Sequence, residues 1–260
     1  MSIIVISIAA CAAALLTFFS GFGLGTLLMP VVALFFPIEV AIAVTAVVHL
    51  ANNVFKLSLV YRQIDKAVFV RFGFAAMVAA FIGAMLLHWL IDIPAIAQYQ
   101  LADSVIQISP VNLVIGLLIL CFVGVELTPW FTRKIMPQHW LPVGGLISGF
   151  FGGLSGHQGA FRSMFLLGAG LEKAAFVATG VAIAVAVDVV RLSIYGLGFA
   201  STADSSVSGQ WPLIALATAS AFAGTFLARR LLEKVTMAFI RYSVAVLLTL
   251  VGLGMISGLI

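Results

Sequence analysis

The chain has 260 residues, of which 63% are hydrophobic and only 8% are charged, with a formal net charge of +4. A water-soluble domain needs far more charge on its surface, so the composition excludes one. The cations lie in loops and near predicted helix ends, where they bear on membrane topology and not on nucleic-acid binding. Apolar runs long enough to cross a bilayer recur along the chain. They are continuous rather than alternating, which predicts an all-α polytopic membrane protein and not a barrel.

Glycines interrupt the first apolar stretch of the chain, which covers residues 3–36. Gly21, Gly23 and Gly25 leave a second piece of only about eleven residues, enough to span about half a bilayer. Further on, residues 92–110 form a predicted polar loop without Lys or Arg. The predicted full-length helices of this half cover about residues 38–61, 68–90 and 111–127.

The second half retraces this order. An apolar stretch over residues 141–170 is predicted to break at Gly152, Gly153, Gly156 and Gly159. The chain then has about eight long apolar segments, and we predict two membrane repeats, 1–134 and 135–260, within one integral membrane domain. The predicted helices of the second half cover about residues 171–195 and 211–232, and a last one ends at about residue 260.

Polar residues recur at a constant distance in the two halves. Each half has a Gly-rich break, then a long helix that carries an amide or a carboxylate three residues before a cation. This repetition predicts two related halves built around the breaks. Three pairs of residues are each 135 positions apart: Ser20 and Ser155, Asn53 and Asp188, Lys56 and Arg191.

Loop charges predict that the two halves are inverted in the membrane. Residues 62–71 and 128–139 are basic and 92–110 lack cations, whereas in the second half 196–210 lack cations and 229–241 are basic. By the positive-inside rule the basic loops are cytoplasmic and both termini external. Inversion requires an odd number of crossings per half. Three helices with a re-entrant broken stretch satisfy this, and so do five shorter crossings. Eight full spans would give parallel halves with a basic external turn, which we disfavour.

One face of the first long helix carries several polar side chains. Spacings of three and four residues put them on the same face, and His49 lies near the helix centre. Such groups are costly against lipid, so we expect them to face the protein interior or a water-filled path. They are either transport residues or interhelical hydrogen-bonding groups, with Lys56 snorkelling toward the helix end. The residues are Thr45, His49, Asn52, Asn53 and Lys56.

Asp188 and Arg191 lie one turn apart on the second long helix. Their spacing allows an ion pair that neutralises itself. Alternatively, Asp188 is a protonation site and Arg191 contacts an anion. His49 and Asp188 are therefore the two candidates for a coupling proton, since imidazole changes charge near neutral pH and burial shifts the titration of a carboxylate.

The Gly-rich breaks are candidates for a binding site. Each frees backbone N–H groups and starts a half-helix, near Thr26 in the first half and near Phe161 in the second. Helix N-termini attract anions, and paired broken helices in inverted halves indicate the midplane site of a transporter. Alternatively, the glycines only allow close helix packing. Arg162 best suits an oxyanion. The predicted substrate-binding residues are Ser20, Gly21, Gly23, Thr26, Asn53, Ser155, Gly156, His157, Gln158, Arg162 and Arg191.

No sequence feature indicates an enzyme, a cofactor or a metal site. The chain has no P-loop, no HExxH and no GxSxG motif. Cys11 and Cys121 lie in separate apolar runs, so they predict neither a disulfide nor a pair of metal ligands. A metal transporter is a weaker alternative, because His49 and His157 have no Cys or carboxylate clustered with them in sequence.

The same residues resemble the TauE/SafE family of membrane proteins, the sulfite or sulfonate exporters. The resemblance spans most of the chain in two copies. It implies a bacterial inner-membrane exporter of small sulfur-containing anions. His157-Gln158-Gly159 departs from the plainer Gly-rich run expected there. The motifs that carry the resemblance are residues 20–26 (SGFGLGT), Phe36-Pro37, residues 45–49 (TAVVH), Asn52-Asn53 and residues 149–156 (GFFGGLSG).

We therefore predict a secondary transporter that exports a small anion, sulfite or an organosulfonate, by alternating access. The two breaks would meet near the bilayer midplane and hold the anion between them. A passive anion channel and a non-transporting membrane scaffold are the alternatives. The expected partners are a small sulfur-containing oxyanion and the lipid bilayer, and a homodimer is compatible with the sequence.

Overall fold

The computed structural model describes residues 2–20, 24–101, 104–128, 136–201, 208–231 and 237–259. Over these residues the chain is mainly helical, as predicted, with one short β-hairpin. Four helices are long and apolar enough to cross a membrane, which supports a multi-pass membrane protein. These four cover Ile38–Gln63, Lys66–Ile91, Lys173–Gly196 and Trp211–Ala228.

The first half contains helices α1 to α5. Pro37 immediately precedes α3, a position where its missing N–H costs no helix hydrogen bond. Asp65 caps α4 by accepting a hydrogen bond from the backbone N–H of Val68 at 2.9 Å, and α4 contains one π-turn, Phe69–Gly73. The helices are α1 Ser2–Ser20, α2 Leu24–Ala33, α3 Ile38–Val60, α4 Lys66–Ile91 and α5 Pro110–Leu127.

The second half contains helices α6 to α10, which follow the first five in the same order of short and long elements. Its two short helices are separated by the turn at residues 156–158, which we call the second break; the first break is the segment between α1 and α2. The helices are α6 Leu141–Ser155, α7 Gly159–Leu167, α8 Lys173–Ser201, α9 Trp211–Leu231 and α10 Met237–Ser257.

The polar loop predicted over residues 92–110 contains a β-hairpin. Strands β1 (Ala97–Leu101) and β2 (Ser104–Ile108) pair antiparallel, with Ala97 opposite Ile108. The Tyr99 hydroxyl donates to the carbonyl oxygen of Ser257 at 2.7 Å, so the hairpin contacts the last turn of α10. We call this end of the helices the hairpin end.

A line of glycines brings α6 into backbone contact with α4. Three glycines recur every four residues on α6, and a Cβ at each would collide with a carbonyl oxygen of α4. The contacts advance in the same direction on both helices, which therefore run parallel. Small residues allow this close approach of membrane helices. The contacting pairs are Gly145 with Phe72, Gly149 with Ala76 and Gly153 with Ala80.

The sequence-based prediction of breaks at Gly152 and Gly153 is wrong. The helix continues through both residues to Ser155, because this glycine-rich face packs against neighbouring elements instead of ending the helix. The left-handed residue that ends it is Gly156, with φ of 80°. Gly159 begins α7 rather than lying in the break.

The α6–α7 segment enters the helix bundle and returns to the same end. A Cβ at Gly168, just after α7, would collide with the carbonyl oxygen of Met136, just before α6. The second broken stretch is therefore re-entrant. At the same end, the backbone N–H of Asp65 donates to Thr179 Oγ1 in the first turns of α8 at 2.9 Å. We call this the basic end, since Arg62, Lys66, His139 and Lys173 lie there in sequence next to these contacts.

Each half supplies helices that pack against the other half. The helix α1 packs on α9, and α4 packs on α6. The helices α3 and α8 are antiparallel, since Asn53 contacts Asp188 whereas Asp65 contacts Thr179. The helices α5 and α10 are also antiparallel and cross at Gly116, where a Cβ would lie 2.8 Å from the carbonyl oxygen of Gly252.

Candidate functional site

Four polar side chains of α3 and α8 meet in the interior, and all four are buried. His49 Nδ1 donates to Asp188 Oδ2 at 2.6 Å, and Asn53 Nδ2 donates to the same oxygen at 3.3 Å. The other carboxylate oxygen, Oδ1, accepts from Arg191 Nε at 3.0 Å and lies 2.8 Å from Arg191 Nη2. The ion pair that the sequence spacing allows is therefore present, and the two candidate proton carriers are in direct contact.

Arg191 connects this centre to the second break. A Cβ at Gly156 would lie only 2.6 Å from Arg191 Nη1, so glycine is needed both for this approach and for its positive φ. Tyr195, one turn further along α8, donates its hydroxyl to the carbonyl oxygen of Gly153 near the end of α6. The guanidinium is thus held between Asp188 and the end of α6.

The start of α2 approaches the second break. Gly25 lies in the first turn of α2, and a Cβ there would be 3.6 Å from the carbonyl oxygen of Gly156. The same Cβ would be 3.7 Å from Thr45 Cγ2 and 3.9 Å from His49 Cδ2. The start of α2, the second break and the α3–α8 centre therefore form one continuous site.

The second break has an unusual number of buried polar atoms without a hydrogen-bond partner in the described parts of the chain. They are His157 Nε2, both side-chain atoms Nε2 and Oε1 of Gln158, and Arg162 Nη1. Buried polar groups are normally paired, because desolvating them without a partner is costly. Four such atoms within six consecutive residues indicate a place where another polar group is bound.

The site has more buried positive than negative charge. Arg162 is close enough to Lys56 and to Asp188 for their charges to interact. Burying charge of one sign in excess is costly unless an opposite charge compensates it. Arg162 (7% exposed), Arg191 (1%) and Asp188 (0%) are buried together, which gives two guanidinium groups and one carboxylate.

The start of α2 is apolar except for one residue. Leu24 and Leu28 are buried at the start of α2, and Thr26 is buried among them. Ser20 ends α1, and the predicted site residues Gly21 and Gly23 lie outside the described residues. The predicted anion contacts with side chains are therefore concentrated in the second half.

Two predicted site residues have local partners. Ser155 Oγ donates to the carbonyl oxygen of Phe151 at 3.2 Å, so this hydroxyl is used within its own helix. His157 Nδ1 donates to the carbonyl oxygen of Ser155 at 3.0 Å, and its ring stacks on Phe122 at 5.4 Å between centroids. Thr179, which corresponds to Thr45 in the repeat, lies at the basic end and not in this site.

Sequence reasoning missed three residues of the site. Tyr195 follows Asp188 by seven residues, a spacing that puts both on one helix face, so it could have been found. Gly25 was noticed only as a helix breaker, and its contact with Gly156 depends on the fold. Phe122 gives no sequence signal, since it is one of many apolar residues of α5. Within the described parts of the chain, no group of three or more His, Cys, Asp or Glu side chains could hold a metal ion.

Comparison with known proteins gives one match. A family model described as sulfite exporter TauE/SafE matches residues 6–255. No curated protein and no solved structure matches the chain significantly. The match includes most of α1, both breaks and most of α10.

Proposed function

The chain belongs to the sulfite exporter TauE/SafE family, and from this premise we propose that it is a secondary transporter that exports a small anion, sulfite or an organosulfonate, by alternating access. The family match confirms the resemblance noted in the sequence. Members of this family are membrane transporters rather than enzymes. The observation that carries the proposal is the burial of two guanidinium groups, of Arg162 and Arg191, with one carboxylate, of Asp188, beside the second break and the start of α2.

The anion would bind between the second break and the α3–α8 centre. The helix α7 has nine residues, and its N-terminal backbone N–H groups point toward the break. Arg162 and Arg191 would supply charge-assisted hydrogen bonds, which are the strongest that a protein offers to an oxyanion. The first break would contribute mainly backbone groups. The proposed contacts are Ser20, Gly21, Gly23, Thr26, Asn53, Ser155, Gly156, His157, Gln158, Arg162 and Arg191, and the charge of Lys56 would add to them.

His49 and Asp188 would form one proton-binding unit rather than two competing ones. They share a hydrogen bond of 2.6 Å, so a proton gained by one changes the charge felt by the other. An anion bound beside Arg191 would compete with Asp188 for that cation. Anion binding and proton binding would then be linked through Asp188, which is the requirement for coupled transport.

Alternating access would use two inverted halves, residues 1–134 and 135–260. Support comes from the antiparallel contacts of corresponding helices, α3 with α8 and α5 with α10. Two helices that correspond to each other and run antiparallel are related by an axis perpendicular to them, which for membrane helices lies in the membrane plane. Asn53 and Asp188 occupy equivalent positions of the repeat and contact each other, as expected for residues beside such an axis.

We propose that the basic end is cytoplasmic in a bacterial inner membrane and that both termini are external. The hairpin end contacts the last turn of α10, and no Lys or Arg occurs in residues 92–110. The basic turn at residues 229–241 precedes α10, which ends at the hairpin and so begins at the opposite end. The basic segments of both halves then lie at the basic end, although they occupy different places in the order of elements in the two halves.

Uptake into reconstituted vesicles tests the transport proposal. Purified protein should move radiolabelled sulfite, methanesulfonate or sulfate against a concentration gradient when a proton gradient is imposed, with a preference for the sulfur(IV) or sulfonate anions. Equilibration without accumulation would identify a passive channel. If the protein neither transports nor binds these anions, a non-transporting membrane scaffold is the remaining alternative.

Thiol labelling in intact cells tests the orientation. Single cysteines at Gln100 and at Gly209, in a background where Cys11 and Cys121 are replaced by Ala, should react with an impermeant reagent. A single cysteine at Arg62 should react only after the cells are opened. If the cysteine at position 100 reacts in intact cells but the cysteine at position 209 does not, the two halves are not inverted. The eight-span alternative would then be favoured.

A further inference from the structure

The second break offers buried hydrogen-bond acceptors as well as donors. Gln158 is fully buried, and neither its Nε2 nor its Oε1 has a partner in the described structure. Turning the amide by 180° would exchange the two atoms but leave both unpaired, so the observation does not depend on how the amide was assigned. A partner for Gln158 must therefore both accept and donate.

His157 adds a second acceptor. Its Nδ1 lies 3.0 Å from the carbonyl oxygen of Ser155, which can only accept, so Nδ1 carries the proton. In the neutral imidazole, Nε2 is then an acceptor, and it is buried without a partner among the described residues. The ring is held nearly parallel to that of Phe122, with an interplanar angle of 8°, which fixes the direction of Nε2.

The backbone and neighbours of Gln158 hold its side chain in one place. Ser148 Oγ donates to the carbonyl oxygen of Gln158 at 3.0 Å. A Cβ at Gly152 would lie 3.0 Å from Gln158 Cβ and 3.5 Å from Gln158 Cδ, so glycine at 152 makes room for the amide. Arg162 follows Gln158 by one turn of α7, which puts its unpaired Nη1 on the same helix face.

A bare oxyanion satisfies only part of this set. Its oxygens accept from Arg162 Nη1 and Gln158 Nε2, but they cannot donate to Gln158 Oε1 or His157 Nε2. Those two acceptors would stay buried and unpaired, which disfavours such a ligand. An anion that carries an O–H or N–H group beside its charged oxygens satisfies both kinds of atom.

We propose that the second break selects an oxyanion that carries its own hydrogen-bond donor, with Arg162 binding the charged oxygens and either Gln158 Oε1 or His157 Nε2 accepting from the O–H group. The inference rests on the proposed anion transport and specifies its substrate class. Two sources have this chemistry: a singly protonated inorganic oxyanion such as hydrogensulfite, and a sulfonate substituted with a hydroxyl group.

Calorimetric binding to purified protein separates these sources. The first arm compares 2-hydroxyethanesulfonate with ethanesulfonate, which has the same charge and no donor. The second arm follows the affinity for inorganic sulfite across the pH range in which it loses its last proton, with methanesulfonate as the anion of fixed charge. Each arm is repeated with Gln158→Met, which keeps the side-chain length and removes the amide.

We expect a preference of at least about tenfold for the donor-carrying anion in one arm. The arm that shows it identifies the source, and Gln158→Met should reduce the ratio to about one. The donor-free anion should also bind more weakly to this variant, because Gln158 Nε2 is lost together with Oε1, but the donor-carrying anion should lose more affinity. Equal affinities in both arms, or a preference that survives in Gln158→Met, would overturn the inference and leave anion transport standing. Absence of binding by every anion in the wild-type protein would instead remove the proposed function itself.

Discussion

The two breaks have the same place in their halves but different chemistry. At the distance of 135 positions that relates the halves, His157 corresponds to Phe22, Gln158 to Gly23 and Arg162 to Leu27. The second break is therefore polar and cationic, whereas the described start of α2 is apolar except for the buried Thr26. Each break is followed by a long helix in which an amide or a carboxylate lies three residues before a cation.

This difference teaches that repetition of a fold does not require repetition of its binding groups. A helix break supplies backbone N–H groups in either half whatever its side chains are. Side-chain charge has to be present only once where two breaks approach each other, because a second set of cations would add repulsion without a further anion to bind. The start of α2, at Gly25, then contributes a close and mainly apolar surface to the site.

The largest effect should come from the glycine contacts, which test whether both halves depend on backbone packing. Gly149→Val and Gly224→Val each place a side chain against a carbonyl oxygen, of Ala76 and of Cys11 respectively. Each should reduce the free energy of unfolding by more than about 3 kcal/mol, since backbone cannot move aside cheaply. Thermal melting in detergent measures this. Gly124→Ala, with nothing within 4 Å of its added Cβ, is the control and should melt like wild type.

Neutralising the cation of the second break sharpens the chemical difference between the breaks. Arg162→Gln should weaken anion binding by about 2 kcal/mol, roughly thirtyfold, because a buried charge-assisted hydrogen bond is lost. Calorimetry gives the affinity, and the melting temperature should change less than binding does. Leu27→Met, at the equivalent position of the first break, should bind the anion as wild type does. Equal losses in both variants would show that the breaks do not differ in this way.

Removing the imidazole tests the proton-binding unit that joins the halves. In vesicles, His49→Gln should still transport the anion but respond to an imposed pH gradient at least about fivefold less than wild type, since glutamine does not titrate. Thr225→Val is the matched control, because the Thr225 hydroxyl donates to buried Asn52 at 2.8 Å and not to this unit. Full pH-gradient sensitivity of His49→Gln would assign the proton to Asp188 alone.

The smallest effect concerns a hydrogen bond that the second half has and the first half lacks. Tyr195 donates to the carbonyl oxygen of Gly153, and its equivalent in the first half is Val60. Tyr195→Phe makes the halves more alike and should cost about 1 kcal/mol of stability, the scale of one hydrogen bond. A fluorescence-monitored melt measures the shift, and anion affinity should fall severalfold at most. A loss of affinity as large as that of Arg162→Gln would mean that Tyr195 contacts the anion.

The sequence predicted the long helices and, among the four proposed break residues of the second half, Gly156, because these depend on local patterns. Long apolar runs require helices in lipid, and a left-handed residue such as Gly156 ends a helix wherever it occurs. The ion pair of Asp188 with Arg191 is likewise a property of one helix turn. The helical multi-pass architecture and the family resemblance are confirmed.

Contacts between distant residues could not be predicted in the same way. His49 and Asp188 are 139 positions apart, and their contact depends on how α3 crosses α8. The helix α6 passes through Gly152 and Gly153 because its packing with neighbouring elements outweighs the low helix propensity of glycine. The β-hairpin was not predicted, because the prediction for residues 92–110 rested only on their lack of cations. Strands β1 and β2 nevertheless pair residue by residue in antiparallel register. The roles of the site residues stay predictions.

The contact between Asn53 and Asp188 limits which residues the two positions can hold. Two ionised carboxylates at hydrogen-bond distance repel each other unless they share a proton, whereas an amide pairs well with a carboxylate and nearly matches its shape. A fixed negative charge at position 188 therefore requires a residue other than an ionised carboxylate at position 53. With Asp at both positions the centre would either hold an extra proton or keep two repelling charges, and the neutral amide of Asn53 leaves Asp188 as the single carboxylate of this contact.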